Sequence, residues 1–385
     1  MSPHSRLLAE HVVTPHGVLH DALIEISGAR LLSCEPYAAS NERDPDRMAG
    51  WVVPGFIDTH VHGGGGSDYA TEDPQVAISG RAFHAAHGTT TSFASLVTAS
   101  IESLCRQLAT LAGLVDDGHF AGIHLEGPFL SPAQPGAHDP SLLRSPDPGR
   151  VDRLITAARG TLSMITIAPE LPGALDAIGQ FTDAGVRVAV GHTDADAETV
   201  AAALDAGANV ATHLFNAMPA IHHREPGPVP VLVNDERVSV ELIVDGFHLH
   251  PEIARMAAAV SGPERTVLVT DAMVAAGMPD GEFSLGGLRV SVRAGMARLV
   301  DSSGQPGAIA GSTLTMGEAF RMMTGVIGDI ETVAAMASTN AARHFGLSEV
   351  GRIEAGCRAD LCVVTDQGVL QRVMQAGRWL TEQPT

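Results

Sequence analysis

The sequence predicts an α/β protein built as a TIM-like (β/α)8 barrel, with a small β-sandwich domain formed by both chain termini. Apolar strand-like runs alternate with Ala-rich helical stretches through the middle of the chain, which is typical of parallel βα units. Eight such runs fit into the 385 residues, the number that closes a barrel of this type. Short β segments separated by turn residues lie at both ends of the chain.

Short β segments are predicted at both ends of the chain. Three strand-like segments lie near the N-terminus, at residues 6–13, 19–26 and 30–34. Three more lie near the C-terminus, at residues 359–364, 369–374 and 378–380. We therefore expect residues 1–52 and 350–385 to form the β-sandwich domain.

The barrel is predicted for residues 53–349. Its candidate strands are short apolar runs bounded by turn residues, at 51–57, 90–95, 121–125, 164–168, 186–190, 208–212, 238–243 and 266–270. We expect a β-hairpin insertion at about 280–310, followed by helical sequence from 313 to about 344. An open doubly wound sheet is the alternative, but the chain has no Gly-rich dinucleotide fingerprint to favour it.

The composition excludes several kinds of chemistry. The formal net charge is −20, and all 24 basic residues are Arg. Without Lys there is no Schiff-base lysine, no Walker-type phosphate loop and no carboxylated Lys that could bridge two metals. The acidic balance disfavours nucleic-acid partners and anionic membrane surfaces. The 18 His provide abundant metal ligands and acid–base groups.

The four cysteines show no paired CxxC spacing. The N-terminal residues have no signal-peptide pattern, and no apolar run reaches the roughly 18 residues of a membrane span. We expect a cytoplasmic protein with reduced thiols.

Polar residues follow several candidate strands, and in a parallel barrel such residues meet at the C-terminal face, where active sites lie. His60 and His62 follow the first strand two residues apart, so they point to the same side. Later strand ends supply Glu126, His192, His213 and Asp271. Together they predict a mononuclear or binuclear metal site and hence a metal-dependent hydrolase barrel. The alternative, six separately satisfied buried polar groups, requires six coincidences.

Several short motifs are distributed along nearly the whole chain. They are PGFIDTHVHG at 54–63, HLEGPF at 124–129, GAH at 136–138, GHT at 191–193, HLFNAM at 213–218, REPG at 224–227, DGFH at 245–248, TDA at 270–272 and GSTLTM at 311–316. With these motifs the sequence resembles the amidohydrolase superfamily and, within it, the N-acetylglucosamine-6-phosphate deacetylase family. The HLEGP and HLFNAM strings are highly specific for that branch.

The resemblance implies a set of metal ligands. It implies that Glu126, His192 and His213 bind the catalytic metal, and that His60 and His62 hold a second one, with Asp271 as a further ligand. Glu126 takes the place of the carboxylated Lys of other superfamily members, so a Lys-free chain loses nothing. We expect one or two divalent ions per subunit, zinc in first place and iron in second.

The resemblance also implies catalytic and binding roles. Asp271 would act as general base and then as general acid, and His138 would stabilise the oxyanion on the acetyl carbonyl. Arg224 would contact the sugar phosphate from the neighbouring subunit of a homodimer. Further contacts to the amino-sugar phosphate are expected from Ala137, His138, Asn216, Ala217, His248, Ile309, Ala310 and Gly311.

The expected activity is hydrolysis of N-acetyl-D-glucosamine 6-phosphate to D-glucosamine 6-phosphate and acetate, in amino-sugar catabolism and cell-wall recycling. One alternative is an amidohydrolase acting on a different N-acyl or cyclic amide, against which the Arg-containing loop at 224–227 argues. A second alternative is a catalytically silent barrel serving as a binding protein. The intact set of ligands argues against it.

Overall fold

The structure is a computed structural model that describes residues 4–38 and 45–380. The chain divides into two compact units. The smaller unit comprises Met1–Asp58, Ala82–Thr91 and Thr315–Thr385, and the larger unit comprises Thr59–Arg81 and Ser92–Leu314. The domain boundaries given above stay a prediction, and residues 1–3, 39–44 and 381–385 of the predicted sandwich domain lie outside the described residues.

Both chain termini contribute to one seven-stranded sheet, as the sequence predicts. Its strands in spatial order are Arg378–Trp379, Leu370–Gln375, Leu361–Val364, Asp46–Pro54, His4–Thr14, Gly17–Ser27 and Arg30–Pro36. Side chains that alternate along these strands, such as Leu7, Ile24 and Ile26, are buried in one apolar core. This alternation is the strand period of two that the sequence shows.

An eight-stranded parallel sheet forms the barrel. Its strands follow in chain order: Phe56–Asp58, Thr89–Val97, Gly122–Glu126, Leu162–Ile167, Arg187–Val190, Val210–Ala211, Ser239–Leu242 and Thr266–Leu268. After the first and eighth strands, Asp271 N–H donates to His60 O and His62 N–H donates to Ala272 O, both at 2.8 Å. These bonds join the two ends of the sheet, and the predicted barrel is confirmed.

The first barrel strand is shorter than the predicted strand at 51–57. Residues up to Pro54 belong to the strand Asp46–Pro54 of the terminal sheet, and only Phe56–Asp58 belongs to the barrel sheet. Pro54 has no amide hydrogen with which to extend a ladder. Two residues later, Phe56 N–H donates to Gly88 O at 3.0 Å. The prediction of one continuous strand at 51–57 was wrong, because this apolar run passes from the terminal sheet to the barrel sheet between Pro54 and Phe56.

The insertion at about 280–310 is larger than the predicted hairpin. It is a four-stranded antiparallel sheet of Gly281–Leu285, Leu288–Arg293, Met296–Val300 and Pro306–Ile309. Leu285, Val290 and Val292 pack with Met273 in an apolar cluster. The prediction of a two-stranded hairpin missed both outer strands, Gly281–Leu285 and Pro306–Ile309. The sequence of the last strand, PGAI, contains residues with low strand propensity.

Helices follow most barrel strands. The described residues form helices at Pro74–Ala86, Ile101–Asp116, Pro148–Ala158, Ala174–Asp183, Ala197–Asp205, Pro228–Asn234, Pro251–Ser261, Met316–Ile327, Ile330–Ala334 and Asn340–Phe345. Short helical turns lie at Pro140–Leu142 and Ala335–Thr339, and a small two-stranded sheet pairs Gly63–Gly64 with Ser67–Asp68.

The helix Ile101–Asp116 illustrates how the sequence determines these elements. Ser100 caps its N-terminus by accepting a hydrogen bond from the amide of Ser103. Leu104, Leu108 and Leu111 recur at helical spacing and are buried, so one face of the helix packs inward. Within residues 4–38 and 45–380, none of the helices has the length and apolar character needed to cross a membrane.

A polar network lies in the barrel interior. Ser95 Oγ lies 3.0 Å from His124 Nδ1, and His124 Nε2 lies 2.9 Å from Thr166 Oγ1. The Thr166 hydroxyl lies 2.9 Å from that of Thr212. His60 packs edge to face against His124, with ring centroids 4.5 Å apart. Because its members are buried and hydrogen-bonded, the network holds a fixed surface against which the site is built.

Candidate active site

Four side chains at three strand ends converge in what we call cluster A: His60, His62, Glu126 and Asp271. His62 Nε2 lies 3.1 Å from Glu126 Oε2 and 3.1 Å from Asp271 Oδ1. His60 Nε2 lies 3.2 Å from His62 Nε2. All four residues are buried, so these atoms meet away from bulk water.

Glu126 also belongs to a second group, cluster B, with His192 and His213. Glu126 Oε1 lies 2.9 Å from His213 Nε2 and 3.0 Å from His192 Nε2, and the two ring nitrogens are 3.2 Å apart. One carboxylate therefore presents Oε2 to cluster A and Oε1 to cluster B. The structure brings together every residue that the sequence predicts as a metal ligand.

The hydrogen-bond partners of two histidines determine which ring nitrogen carries the proton. His60 Nδ1 lies 3.1 Å from Glu241 Oε2, and His192 Nδ1 lies 3.0 Å from the carbonyl oxygen of Gln134. Both partners only accept hydrogen bonds, so Nδ1 is the protonated nitrogen in each ring. In the neutral form of each ring, the lone pair of Nε2 then faces the cluster, which is the arrangement that a metal requires.

Carboxylates dominate the electrostatics of cluster A. Burial alone disfavours a charged imidazole, but hydrogen bonds to Asp271 and Glu126 outweigh it and raise the pKa of His62 to about 9. Burial raises the pKa of Asp271, whereas His60 and His62 outweigh that effect and hold it below its usual value. In the absence of a cation, cluster A therefore retains a proton at neutral pH, and a cation must displace it.

His138 is a buried hydrogen-bond donor beside both clusters. Thr98 N–H donates to His138 Nδ1 at 3.2 Å, so the ring proton resides on Nε2, which lies 3.4 Å from Glu126 Oε2. Burial lowers the pKa of His138 to about 4, although Glu126 opposes this shift. His138 is thus a neutral imidazole with an N–H group directed at the site.

A cavity of about 440 Å³ lies beside the clusters, a size typical of small-molecule sites. The cluster residues His62, Glu126 and Asp271 line it, as do the apolar side chains Val97 and Leu285. Predicted substrate-binding residues that line it are Ala137, His138, Asn216, Ala217, His248, Ile309 and Gly311.

Two predicted substrate-binding residues lie outside this lining. Ala310 is fully buried in the apolar cluster that contains Met273. Arg224 lies on an exposed loop, where its Nη1 is 2.6 Å from His223 Nε2. No arginine of the described chain lines the cavity. The contact between Arg224 and a substrate in a neighbouring subunit stays a prediction.

Backbone strain is concentrated at the carboxyl ends of the barrel strands. Positive φ values occur at His192 (48°), His213 (24°), Phe215 (75°), Ala217 (49°) and Asp271 (49°). Side chains adopt this left-handed region at a cost of roughly 1–2 kcal/mol each. Such residues persist where packing and hydrogen bonds hold them, which is typical of functional sites.

Sequence reasoning missed two groups that orient the ligands. Glu241 lies in the buried strand Ser239–Leu242. Its position between two apolar residues was a usable signal in the sequence. A buried charge without a partner is costly, so a carboxylate in such a strand indicates that it has a specific partner. The carbonyl of Gln134 left no signal, since a backbone oxygen is common to every residue.

The fold and the site together place the chain in a class: it belongs to the amidohydrolase family, whose model matches residues 51–380. A solved structure of N-acetyl-D-glucosamine-6-phosphate deacetylase from Mycobacterium smegmatis, a mutant in complex with N-acetyl-D-glucosamine-6-phosphate, is 45% identical to it. The match covers 98% of this chain and 99% of that chain, with a TM-score of 0.93.

Curated relatives cover most of the chain as well. N-acetylgalactosamine-6-phosphate deacetylase from Escherichia coli O157:H7 is 37% identical over 94% of this chain and 95% of the relative. N-acetylglucosamine-6-phosphate deacetylase from Bacillus subtilis (strain 168) is 33% identical over 92% of this chain and 91% of the relative.

Proposed function

We propose that the protein hydrolyses the acetamide of N-acetyl-D-glucosamine 6-phosphate to give D-glucosamine 6-phosphate and acetate. The observation that carries this proposal is the convergence of clusters A and B, joined by Glu126, with His138 at one cavity. The 45% identity to a protein that holds this sugar phosphate supports the choice of substrate. Hydrolysis of a neutral amide requires activated water, an oxyanion donor and a proton for the departing amine.

The clusters fit divalent cations. Their facing donor atoms are mostly 2.9–3.2 Å apart, close to the roughly 3.3 Å between ligand atoms about 2.0–2.1 Å from a tetrahedral ion. We propose that cluster B holds the catalytic ion and cluster A a second one, with zinc as the first choice of metal and iron as the second. When bound, such a cation would supply Lewis acidity toward the amide carbonyl and would lower the pKa of nearby water.

Asp271 is proposed to move the proton. Its carboxylate lines the cavity and is held ionised by His60 and His62, so it can accept the proton of the attacking water. The same proton can then pass to the nitrogen as the C–N bond breaks, which prevents departure of an amide anion.

His138 is proposed to stabilise the oxyanion. Its Nε2–H donor is fixed by the bond from Thr98 N–H to Nδ1, so no tautomer change is needed when negative charge develops on the carbonyl oxygen. A preorganised donor of this kind stabilises the transition state more than the ground state.

The phosphate is proposed to lie beside Asn216, Ala217 and His248, which line the cavity. His248 Nδ1 lies 2.7 Å from Asp245 Oδ2, a carboxylate that also accepts the amide of His248. This pairing fixes the orientation of the His248 ring, which lines the cavity. Because the chain has no Lys and no described arginine lines the cavity, we propose that Arg224 of a second copy supplies positive charge to the phosphate in a homodimer.

We propose that the reaction belongs to amino-sugar catabolism and serves cell-wall recycling. Cys34, Cys105, Cys357 and Cys362 are free thiols. Free thiols suit a reducing compartment, which supports the proposal that the protein works in the cytoplasm.

N-acetyl-D-galactosamine 6-phosphate is a second candidate substrate, because the E. coli relative, 37% identical, carries the name of that activity. The two sugars differ only in the configuration at C4. Hydrogen bonds to a single hydroxyl group can discriminate strongly between such isomers, so the two values of kcat/KM must be compared directly.

The test is acetate release from both 6-phosphates and from unphosphorylated N-acetylglucosamine, with metal analysis of the same sample. We expect kcat/KM to be highest for N-acetylglucosamine 6-phosphate and at least about 100-fold lower without the phosphate, which corresponds to roughly 2.7 kcal/mol of lost binding. Equal rates with and without phosphate would contradict the anion site. Metal-loaded protein that releases no acetate would favour a different amide substrate or a silent barrel.

A further inference from the structure

Glu241 is a buried carboxylate that the proposed mechanism does not use. It lies in the barrel strand Ser239–Leu242, and its side chain is 2% exposed. Val240 and Leu242, its neighbours in the chain, are fully buried apolar residues. Because an unpaired buried charge is strongly unfavourable, the environment of Glu241 must supply compensating donors or cations.

The donors come from both clusters. Glu241 Oε2 lies 3.1 Å from His60 Nδ1 and 3.4 Å from the amide nitrogen of His213, and Oε1 lies 3.5 Å from Thr59 Oγ1. The backbone carbonyl of Glu241 accepts the amide of Leu214 at 2.9 Å. One residue therefore holds the ring of a cluster A histidine and the backbone of a cluster B histidine.

The bond to His60 determines the function of that ring. With its proton on Nδ1, His60 can offer a lone pair only from Nε2, the atom that faces His62, Glu126 and Asp271. Without an acceptor at Nδ1, the proton could move to Nε2 and His60 would cease to be a ligand. Partners of this kind typically contribute 10- to 100-fold to metal affinity.

The charge of Glu241 acts in the same direction. When ionised, Glu126, Asp271 and Glu241 bring three negative charges to the buried site. One divalent cation leaves a net charge of −1 and two leave +1, whereas without Glu241 two cations would leave +2. Glu241 therefore reduces the electrostatic cost of holding two ions side by side.

We propose that Glu241 is a positioning residue that makes cluster A a binding site for a second divalent cation. It does so by fixing the Nδ1–H tautomer of His60 and by adding negative charge behind it. This inference deepens the proposed function, on which its choice of metal centre rests. Its test is metal binding measured without turnover, so its failure can be distinguished from failure of the deacetylase proposal.

Two substitutions separate the hydrogen bond from the charge. Glu241→Gln keeps a similar shape and can still accept from His60 Nδ1, but it removes the charge. Glu241→Leu removes both. Glu170→Gln is the matched control. Glu170 accepts hydrogen bonds from the hydroxyl of Thr193 and the backbone amide of Asp194 at a strand end, but it contacts no ring nitrogen of either cluster.

The zinc-loaded proteins are dialysed against graded concentrations of a chelator, and zinc per chain is measured by mass spectrometry. Cobalt-loaded samples provide a visible spectrum that reports the coordination number and geometry of the bound ions, which loss of a histidine ligand would change. We expect the wild-type chain to bind two zinc ions. Compared with the wild type, the affinity for the second ion should be about 10-fold weaker in Glu241→Gln and about 100-fold weaker in Glu241→Leu. The Glu170→Gln control should match the wild type.

The proposal is overturned if both Glu241 variants bind two ions with unchanged affinity, or if the wild type binds only one. Should Glu241→Leu fail to fold, the isosteric Glu241→Gln variant decides, with thermal unfolding of the metal-free protein as a check. Acetate release by a wild-type protein that binds only one zinc ion at saturating zinc would leave the deacetylase proposal standing and overturn this one.

Discussion

Substitution of His138 by Phe tests the oxyanion donor. Phe keeps the ring shape in a position that is 5% exposed, but it cannot donate from the position of Nε2. Loss of one preorganised oxyanion donor typically lowers kcat by about 10²–10³, which corresponds to roughly 2.7–4 kcal/mol. We expect kcat for acetate release to fall by that factor and KM for the phosphorylated sugar to change less than about threefold, because His138 interacts with the reacting carbonyl.

The pH dependence separates a neutral donor from a protonated one. Because the pKa of His138 is about 4, the imidazole stays neutral above roughly pH 5. Loss of His138 should therefore lower the rate by the same factor from pH 6 to pH 8.5. The assay is steady-state acetate release across that range, with metal content measured for each sample.

A second variant provides the control for His138→Phe. His138→Gln places an amide N–H near the position of Nε2 and should recover part of the rate. The Phe variant also leaves the amide of Thr98 without its acceptor, which costs about 1–3 kcal/mol of stability, so thermal unfolding should register that change separately. A Phe variant with kcat within threefold of the wild type, or a rate loss that follows metal loss alone, would refute the role of the donor.

Three further predictions follow from the geometry. Gly136→Ala should lower kcat at least about 10-fold and weaken metal binding. A Cβ at this position would lie 2.7 Å from His192 Cε1, and the residue has a φ of 53° that disfavours a side chain. Unchanged metal content and rate would contradict this prediction. Zinc added to metal-free protein at pH 7.5 should release at least one proton per chain, and zinc affinity should rise with pH up to about 9, the pKa of His62. Calorimetry in buffers of different ionisation enthalpy measures that release, and a buffer-independent enthalpy would count against it. Arg224→Ala should raise KM for the 6-phosphate about 10-fold or more while leaving hydrolysis of the unphosphorylated sugar unchanged; an unaltered KM would mean that the anion site lies elsewhere.

The ligand set was accessible from the sequence for a physical reason. Parallel strands of a barrel end at one face, so polar residues directly after apolar runs must meet there. The spacing of His60 and His62 matches the strand period, which puts both on one side. These rules need only local sequence, and they predict that the six ligands share one site; the division of those ligands between two ions came from the family resemblance.

What the sequence did not predict depends on partners far away in the chain. The run from Trp51 to Ile57 looks like one strand, because its change of sheet depends on hydrogen bonds from distant segments. The proton positions of His192 and His138 depend on the carbonyl of Gln134 and the amide of Thr98, which have no signature in residue type. Such backbone groups become visible only in the folded structure.

The residue on which the proposed chemistry depends most directly is Asp271, and the measurement is kcat for acetate release from N-acetylglucosamine 6-phosphate by Asp271→Asn. Asn keeps the size of the side chain but cannot accept the proton of water, and loss of a general acid–base group costs about 10²–10⁴ in rate. At metal content matched to the wild type, we predict a fall in kcat of that size. A variant with full metal content and near-wild-type kcat would contradict the account.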